Sequence, residues 1–311
     1  MEVIFSAILT VVGLILLCLG GNWLVSGGVA IAKKFRISNL IIGMTIVAYG
    51  TSTPELAASI AAAGEHSAII LGNIVGSNIA NVGMVIGIAA ILVPLTVKKS
   101  VLKKEIPMML GVSALLVLIS IDGELTQYDG ILLLGGLGVF AIYTFRDAMK
   151  QREKDIEKQD QSKKNIYVKS AGLIGLGIGV LYVGAILTVD NAVILAKEFG
   201  LSEKIIGLTV IAIGTSLPEL ITSVIAIRKG HTDIGVGNII GSNIYNILMI
   251  MGVGATLGGV MISSDVYIDY AIMIIFSMSL LVALKTGIIN RTMGVILATG
   301  YILYLITTFF K

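Results

Sequence analysis

The sequence predicts an all-α integral membrane protein: ten transmembrane helices, arranged as two inverted-topology five-helix repeats with both termini outside. Three observations predict it. The 311-residue chain is 56% hydrophobic and only 13% charged, with mean hydropathy +0.98, whereas a soluble domain carries about 25% charged residues. The two halves of the chain repeat each other. The basic residues fall almost entirely on one set of loops.

The spans come first. Apolar stretches of roughly 20 residues, the length that crosses a bilayer, run near 3–21, 38–63, 68–95, 103–121, 128–146, 168–189, 202–227, 235–261, 266–284 and 290–309. The opening MEVIFSAILT has no basic leader, so it reads as a retained first helix. The only long polar stretch, 147–167, is short and mixed in charge, and reads as a solvated connector. Residues 1–146 and 168–311 flank it as the two repeats.

Basic residues stay on the cytoplasmic side. Of the 22 Lys and Arg, 19 lie in alternate loops: Lys33, Lys34 and Arg36; Lys98, Lys99, Lys103 and Lys104; Arg146, Lys150, Arg152, Lys154, Lys158, Lys163, Lys164 and Lys169; Arg228 and Lys229; Lys285 and Arg291. Only Lys197, Lys204 and Lys311 fall on the other side. The connector is therefore cytoplasmic and the termini are outside, in a multi-pass protein of the plasma membrane.

The repeat is direct. ISNLIIGMTIVAYGTSTPEL (37–56) aligns with LSEKIIGLTVIAIGTSLPEL (201–220) at offset 164, and GNIVGSNIAN (72–81) with GNIIGSNIYN (237–246) at offset 165. Each half holds five spans, an odd number, so the second half enters the membrane with opposite polarity. Inverted repeats of this kind build secondary transporters.

The repeated motifs carry the chemistry. Gly50 with Pro54, and Gly214 with Pro218, should interrupt a helix near the midplane. Such a break is tolerated in a membrane only where it lines a cavity or is buried in protein. Thr53 should cap the following half-helix, and the carbonyls around Ala48 and Ala212 should be freed as cation ligands. Thr51 and Glu55 lie four apart, as do Thr215 and Glu219, Ser77 and Asn81, and Ser242 and Asn246, so each pair shares a helix face. If these helices converge they surround one point with carboxylates, hydroxyls, amides and carbonyls. Those are hard oxygen ligands suited to Ca²⁺ and Na⁺. An acid at the bilayer centre costs about 2.5–3.5 kcal/mol on insertion scales, so Glu55 and Glu219 mark function. Nearly all other carboxylates lie in loops or at helix ends; Asp190, near the end of span six, reads as structural or interfacial. Asn73, Asn78, Asn238 and Asn243 read as inter-helix glue, and His66 and His231 as solvated loop residues.

Several classes are disfavoured. One cysteine, Cys18, leaves no internal disulfide and no thiolate metal site. No phosphate loop, nucleotide-binding motif or basic-aromatic patch is present, so no nucleotide, no nucleic acid and no cofactor is expected, and transport must draw on an ion gradient. An intramembrane hydrolase would need its two acids in different environments, which a symmetric pair does not offer. A channel has little use for an occluding inverted repeat.

The paired GTS-x-PE and GN-x-x-GSN motifs on inverted halves resemble the prokaryotic sodium/calcium exchangers of the cation/calcium antiporter superfamily, over essentially the whole chain. The resemblance implies a secondary active antiporter exchanging Na⁺ for Ca²⁺ by alternating access, acting as a monomer in the lipid bilayer. It implies four ion sites at the midplane. Glu55, Glu219, Thr51 and Thr215 would hold Ca²⁺; Ser52, Ser77, Ser216 and Ser242, with the carbonyls of Ala48 and Ala212, would help hold Na⁺. It also implies that the first and sixth helices slide across the rest. One position departs: exchangers of this group often carry an aspartate where this chain has Asn246, whose partner Asn81 is also an amide. Two formal charges instead of three leave the coupling ion open, and an H⁺-coupled exchanger of the same fold is the alternative.

Overall fold

The computed structural model describes residues 2–64, 67–154, 165–200 and 212–309. The chain is mostly helical. Helix α1 spans Glu2–Phe35, α2 Asn39–Thr51, α3 Thr53–Ala62 and α4 Ser67–Leu92. Helix α5 runs from a π-helical turn, Val101–Glu105, into Ile106–Ile119, and α6 spans Gln127–Lys154. In the second half come α7 (Asn165–Glu198), α8 (Ala212–Thr215), α9 (Leu217–Arg228), α10 (Thr232–Gly258), α11 (Val266–Thr286) and α12 (Arg291–Phe309). Among the described residues seven helices are long and apolar enough to cross a membrane: α1, α4, α6, α7, α10, α11 and α12. Three further expected spans are the interrupted α2–α3, the shorter α5, and α8–α9, whose expected start at 202–211 lies outside the described residues.

Helix α6 continues to Lys154 and α7 begins at Asn165, so helix occupies both ends of 147–167. The sequence Ala148-Met149-Lys150-Gln151-Arg152-Glu153-Lys154 is made of good helix formers, and polarity alone did not end the helix.

Helices α4 and α10 form the centre. In each, 83% of the apolar window is buried, against 22% in α1 and 17% in α12. The outer helices turn Phe5, Ile15, Val139, Phe145 and Ile302 outward, the apolar exterior that lipid requires. Short crossed strands tie the halves together. β1 (Leu95–Thr96) pairs antiparallel with β4 (Ile288–Ile289), and β2 (Glu124–Leu125) with β3 (Val260–Met261). Gly123 and Gly287, at φ 93° and 69°, enter β2 and β4 in a conformation that favours glycine.

These contacts sort the loops into two sets. The β1–β4 pair joins the 95–100 and 287–290 loops, and Lys98 pairs with Asp233 at 2.6 Å at the head of α10. The β2–β3 pair joins the 120–126 and 259–265 loops, and Ser67 accepts a hydrogen bond from the Met261 N–H at 3.0 Å.

Helices α1 and α7 lie antiparallel along a seam of small residues spaced by seven: Gly13, Gly20 and Gly27 against Gly184, Gly177 and Ser170. A Cβ on Gly20 would fall 2.7 Å from Leu181 N and 2.8 Å from the Gly177 carbonyl. Backbones this close make the two helices one unit.

Candidate functional site

The motif helices meet at the centre. Helix α2 leads into α3 through Ser52, at φ −82° and ψ 7°, and α8 leads into α9 through Ser216, at φ −86° and ψ 0°. Pro54 and Pro218 occupy the first turns of α3 and α9, where a missing N–H does no harm. Each interruption is thus a one-residue kink rather than an unwound stretch.

That corrects two expectations. The Ala48 carbonyl is not freed: it accepts from Ser52 N at 3.0 Å. The proline withholds its N–H from the carbonyl four residues back, which is Gly50. In the second half Ser216 N reaches the Ile213 carbonyl at 3.1 Å, and Ala212 opens α8. Nor does Thr53 cap α3. Its hydroxyl turns back to the Tyr49 carbonyl at 3.0 Å.

The remaining predicted side chains converge. Glu55, Glu219, Thr51, Ser52, Ser77, Ser216, Ser242, Asn81 and Asn246 are all at most 1% exposed, and Thr215 is 7% exposed. The asparagines form a crossed lattice between α4 and α10. Asn81 Nδ2 donates to Asn243 Oδ1 at 2.9 Å, and Asn246 Nδ2 to Asn78 Oδ1 at 3.0 Å. Asn78 and Asn243 each donate to the other's backbone carbonyl, at 3.3 and 3.5 Å. Their nitrogens are therefore engaged, while Asn81 Oδ1 and Asn246 Oδ1 have no partner. Asn73 ties α4 to α3 through Ser59 Oγ (3.1 Å) and the Glu55 carbonyl (3.1 Å), and Asn238 ties α10 to α9 through Ser223 Oγ (2.9 Å). Turns of π-helix begin at Asn81 and at Asn246, and such turns recur at functional sites because they re-aim side chains.

Around the two carboxylates the halves are unequal. Glu219 Oε1 accepts from Ser52 Oγ at 3.1 Å and from Ser242 Oγ at 3.4 Å, and Thr51 Oγ1 donates to Asn238 Oδ1 at 3.1 Å. The equivalent hydroxyls do not close on Glu55. Both Glu55 oxygens, Ser77 Oγ, Ser216 Oγ and Asn73 Oδ1 lack hydrogen-bond partners, as does Glu219 Oε2. Unpaired buried polar atoms are rare and call for a physical reason. Here they are oxygens, gathered from four helices.

The GN-x-x-G stretches of α4 and α10 each carry two glycines four apart, Gly72 with Gly76 and Gly237 with Gly241, a spacing that suits close helix contact. Gly237 and Gly241 lie against α2, where a Cβ would come within 2.6 Å of the Leu40 and Met44 carbonyls. The segment that would face Gly72 and Gly76 begins at 202–211, outside the described residues. So do His66, Lys158, Lys163, Lys164, Lys204 and Lys311. His231 precedes α10, and burial, with the Lys33 and Lys229 charges, holds its imidazole below the ordinary value.

One buried acid escaped the sequence reading. Glu105 is 5% exposed, with Oε2 unpartnered, in the π-helical turn that opens α5. Following Lys103-Lys104 it looked like a helix-end residue. Its repeat equivalent, Asp269 in α11, is the signal that could have found it.

Comparison with known proteins identifies the family. The chain matches the sodium/calcium exchanger protein family over residues 5–146 and 169–310, and it belongs to that family. It is 36% identical over 312 residues to the inner membrane protein YrbG of Escherichia coli K12, covering 97% of this chain and 96% of that one. It is 31% identical to the sodium/calcium exchanger MaX1 of Methanosarcina acetivorans, covering 97% and 98%. A solved structure of the sodium-calcium exchanger NCX_Mj, soaked with Na⁺ and Sr²⁺, superposes with TM-score 0.86 at 33% identity and covers 98% of this chain and 99% of that one. The protein is a multi-pass membrane antiporter of this family.

Proposed function

We propose that the protein exchanges Na⁺ for Ca²⁺ across the plasma membrane by alternating access, as a monomer, at a midplane site built on Glu55 and Glu219. The observation that carries this is the set of unpaired buried oxygens: Glu55 Oε1 and Oε2, Glu219 Oε2, Asn81 Oδ1, Asn246 Oδ1, Ser77 Oγ and Ser216 Oγ. With Thr51, Thr215, Ser52 and Ser242 they form an all-oxygen environment. Such donors select Ca²⁺ and Na⁺ over softer metals. The Ala48 and Ala212 carbonyls join it only if the kinks at Ser52 and Ser216 open further. Two carboxylates balance one Ca²⁺ or two Na⁺. Because both cargoes need the same oxygens, they compete, and only a loaded site is neutral enough to be moved through low dielectric.

Ten membrane-crossing segments in two inverted repeats, residues 1–146 and 168–311, support alternation. The two sets of contacting loops are those that ten crossings would put on opposite faces. We assign the Lys98–Asp233 and β1–β4 set to the cytoplasm, with the termini outside. The seam joining α1 to α7 supports their moving together across the rest.

The test is ⁴⁵Ca²⁺ uptake into proteoliposomes loaded with Na⁺, with K⁺, or with an imposed pH gradient. Uptake that requires internal Na⁺ is the expected result. Uptake driven by the pH gradient alone would replace Na⁺ by H⁺ as the coupling ion.

A further inference from the structure

A cavity of about 680 Å³ opens between α7 and α3 and is floored by Thr215. Pro54 and Ala58 line one wall, and Tyr182, Val189 and Asp190 the other. Among the described residues Asp190 is the only charged side chain lining it. It is exposed, and among the described residues it makes no hydrogen bond or ion pair.

The repeat supplies an internal control. The equivalent route, between α1 and α9, is shut. Val25, Thr51 and Thr222 are 0% exposed there, and a Cβ on Gly21 would lie 3.0 Å from Thr222 Oγ1. At the station matching Asp190 stands Ser26, whose hydroxyl accepts from Lys229 Nζ at 3.1 Å. One route is therefore open and carries an unpaired anion; its counterpart is closed and carries a cation. The open route reaches the motif residue Thr215, which is 7% exposed, whereas its counterpart Thr51 is 0% exposed.

We infer that Asp190 is a capture residue for Na⁺ and Ca²⁺, gathering them at the mouth of this cavity and passing them by Thr215 to the midplane site. The inference rests on the exchange reading above. A carboxylate beside low-dielectric walls raises the local cation concentration and so the rate of encounter. The attraction for a divalent ion is twice that for a monovalent one at the same distance. Asp190 touches no bound cargo at the midplane, so its effect falls on apparent affinity from one face rather than on turnover.

The experiment compares wild type, Asp190→Asn and Asp190→Glu in oriented vesicles, with initial ⁴⁵Ca²⁺ flux measured from each face under whichever gradient drives it. Ionic strength is raised with N-methylglucamine chloride. For Asp190→Asn the Ca²⁺ KM should rise about three- to tenfold from the cavity's face at low ionic strength. It should stay unchanged from the other face, with maximal flux kept. The difference should shrink as salt screens the charge, and Asp190→Glu should restore the wild-type value. An unchanged KM, an equal rise from both faces, or a rise that ignores salt and is not rescued by Glu overturns the inference while leaving exchange intact. A wild-type protein that moves no Ca²⁺ under either gradient overturns the exchange reading and this inference with it.

Discussion

Replacing Glu219 by Gln separates a carboxylate kept for function from one kept for the fold. Glu219 is 1% exposed; its Oε1 accepts from Ser52 and Ser242, and its Oε2 has no partner. The Lys98–Asp233 ion pair is peripheral and does not touch this carboxylate. Two buried carboxylates without a cation are costly, each carrying a desolvation penalty on the order of several kcal/mol, and Gln removes one of them. Gln keeps an acceptor for Ser52, so the hydrogen-bond loss is at most about 0.5–1.5 kcal/mol. Glu219→Gln should therefore leave the cation-free protein as stable as wild type or more so. Ca²⁺ binding moves the other way. Removing one partner of a buried charge pair costs about 3–5 kcal/mol, or at least about 10²-fold in affinity at 1.4 kcal/mol per tenfold. At a Ca²⁺ concentration 100 times the wild-type Kd, wild type gains about 2.7 kcal/mol of stability. The variant, at or below its own Kd, gains about 0.4 kcal/mol or less. Thermal unfolding in detergent, with Ca²⁺ and with chelator, reads both quantities, and ⁴⁵Ca²⁺ flux should be lost in parallel. A variant less stable than wild type in chelator, yet still stabilised by Ca²⁺, would refute the reasoning and make Glu219 a structural carboxylate.

Other perturbations follow from the same geometry. Asn246→Asp replaces the nitrogen that donates to Asn78 Oδ1 at 3.0 Å, costing about 1–3 kcal/mol of stability, while a third charge should tighten Ca²⁺ binding or alter Na⁺ cooperativity; unchanged Na⁺ dependence in flux assays would show that Asn246 does not face the cargo. Gly177→Ala sets a Cβ 2.8 Å from Leu24 N and 3.0 Å from the Gly20 carbonyl, so the α1–α7 seam should splay. A loss of about 1–3 kcal/mol in thermal stability is expected, and a distance between spin labels on the two helices should lengthen. At His231, held low by burial and by Lys33 and Lys229, Lys229→Met should move the imidazole titration upward in NMR; a downward shift would contradict the placement of that charge.

Much of the site was legible because the motifs occur twice. One acid in an apolar run is ambiguous, but Glu55 and Glu219 recur at a fixed offset beside the same hydroxyls and amides, and chance does not repeat a costly residue so regularly. Residue identity, spacing and the oxygen chemistry were thus determined by sequence alone, as was the membrane setting, which follows from composition. Tertiary structure decided what the residues do to one another. The asparagine lattice joins positions 162 and 168 apart in the chain, and no local periodicity reports such a pairing. Whether Ala48 offers a free carbonyl depended on a kink of a single residue, and whether Glu105 is buried depended on how α5 packs. Above all, a repeat in sequence implies two equal halves, whereas the hydroxyls close on Glu219 and leave Glu55 open. Hydrogen bonds between side chains from different helices create that inequality, and such contacts exist only once the helices are packed.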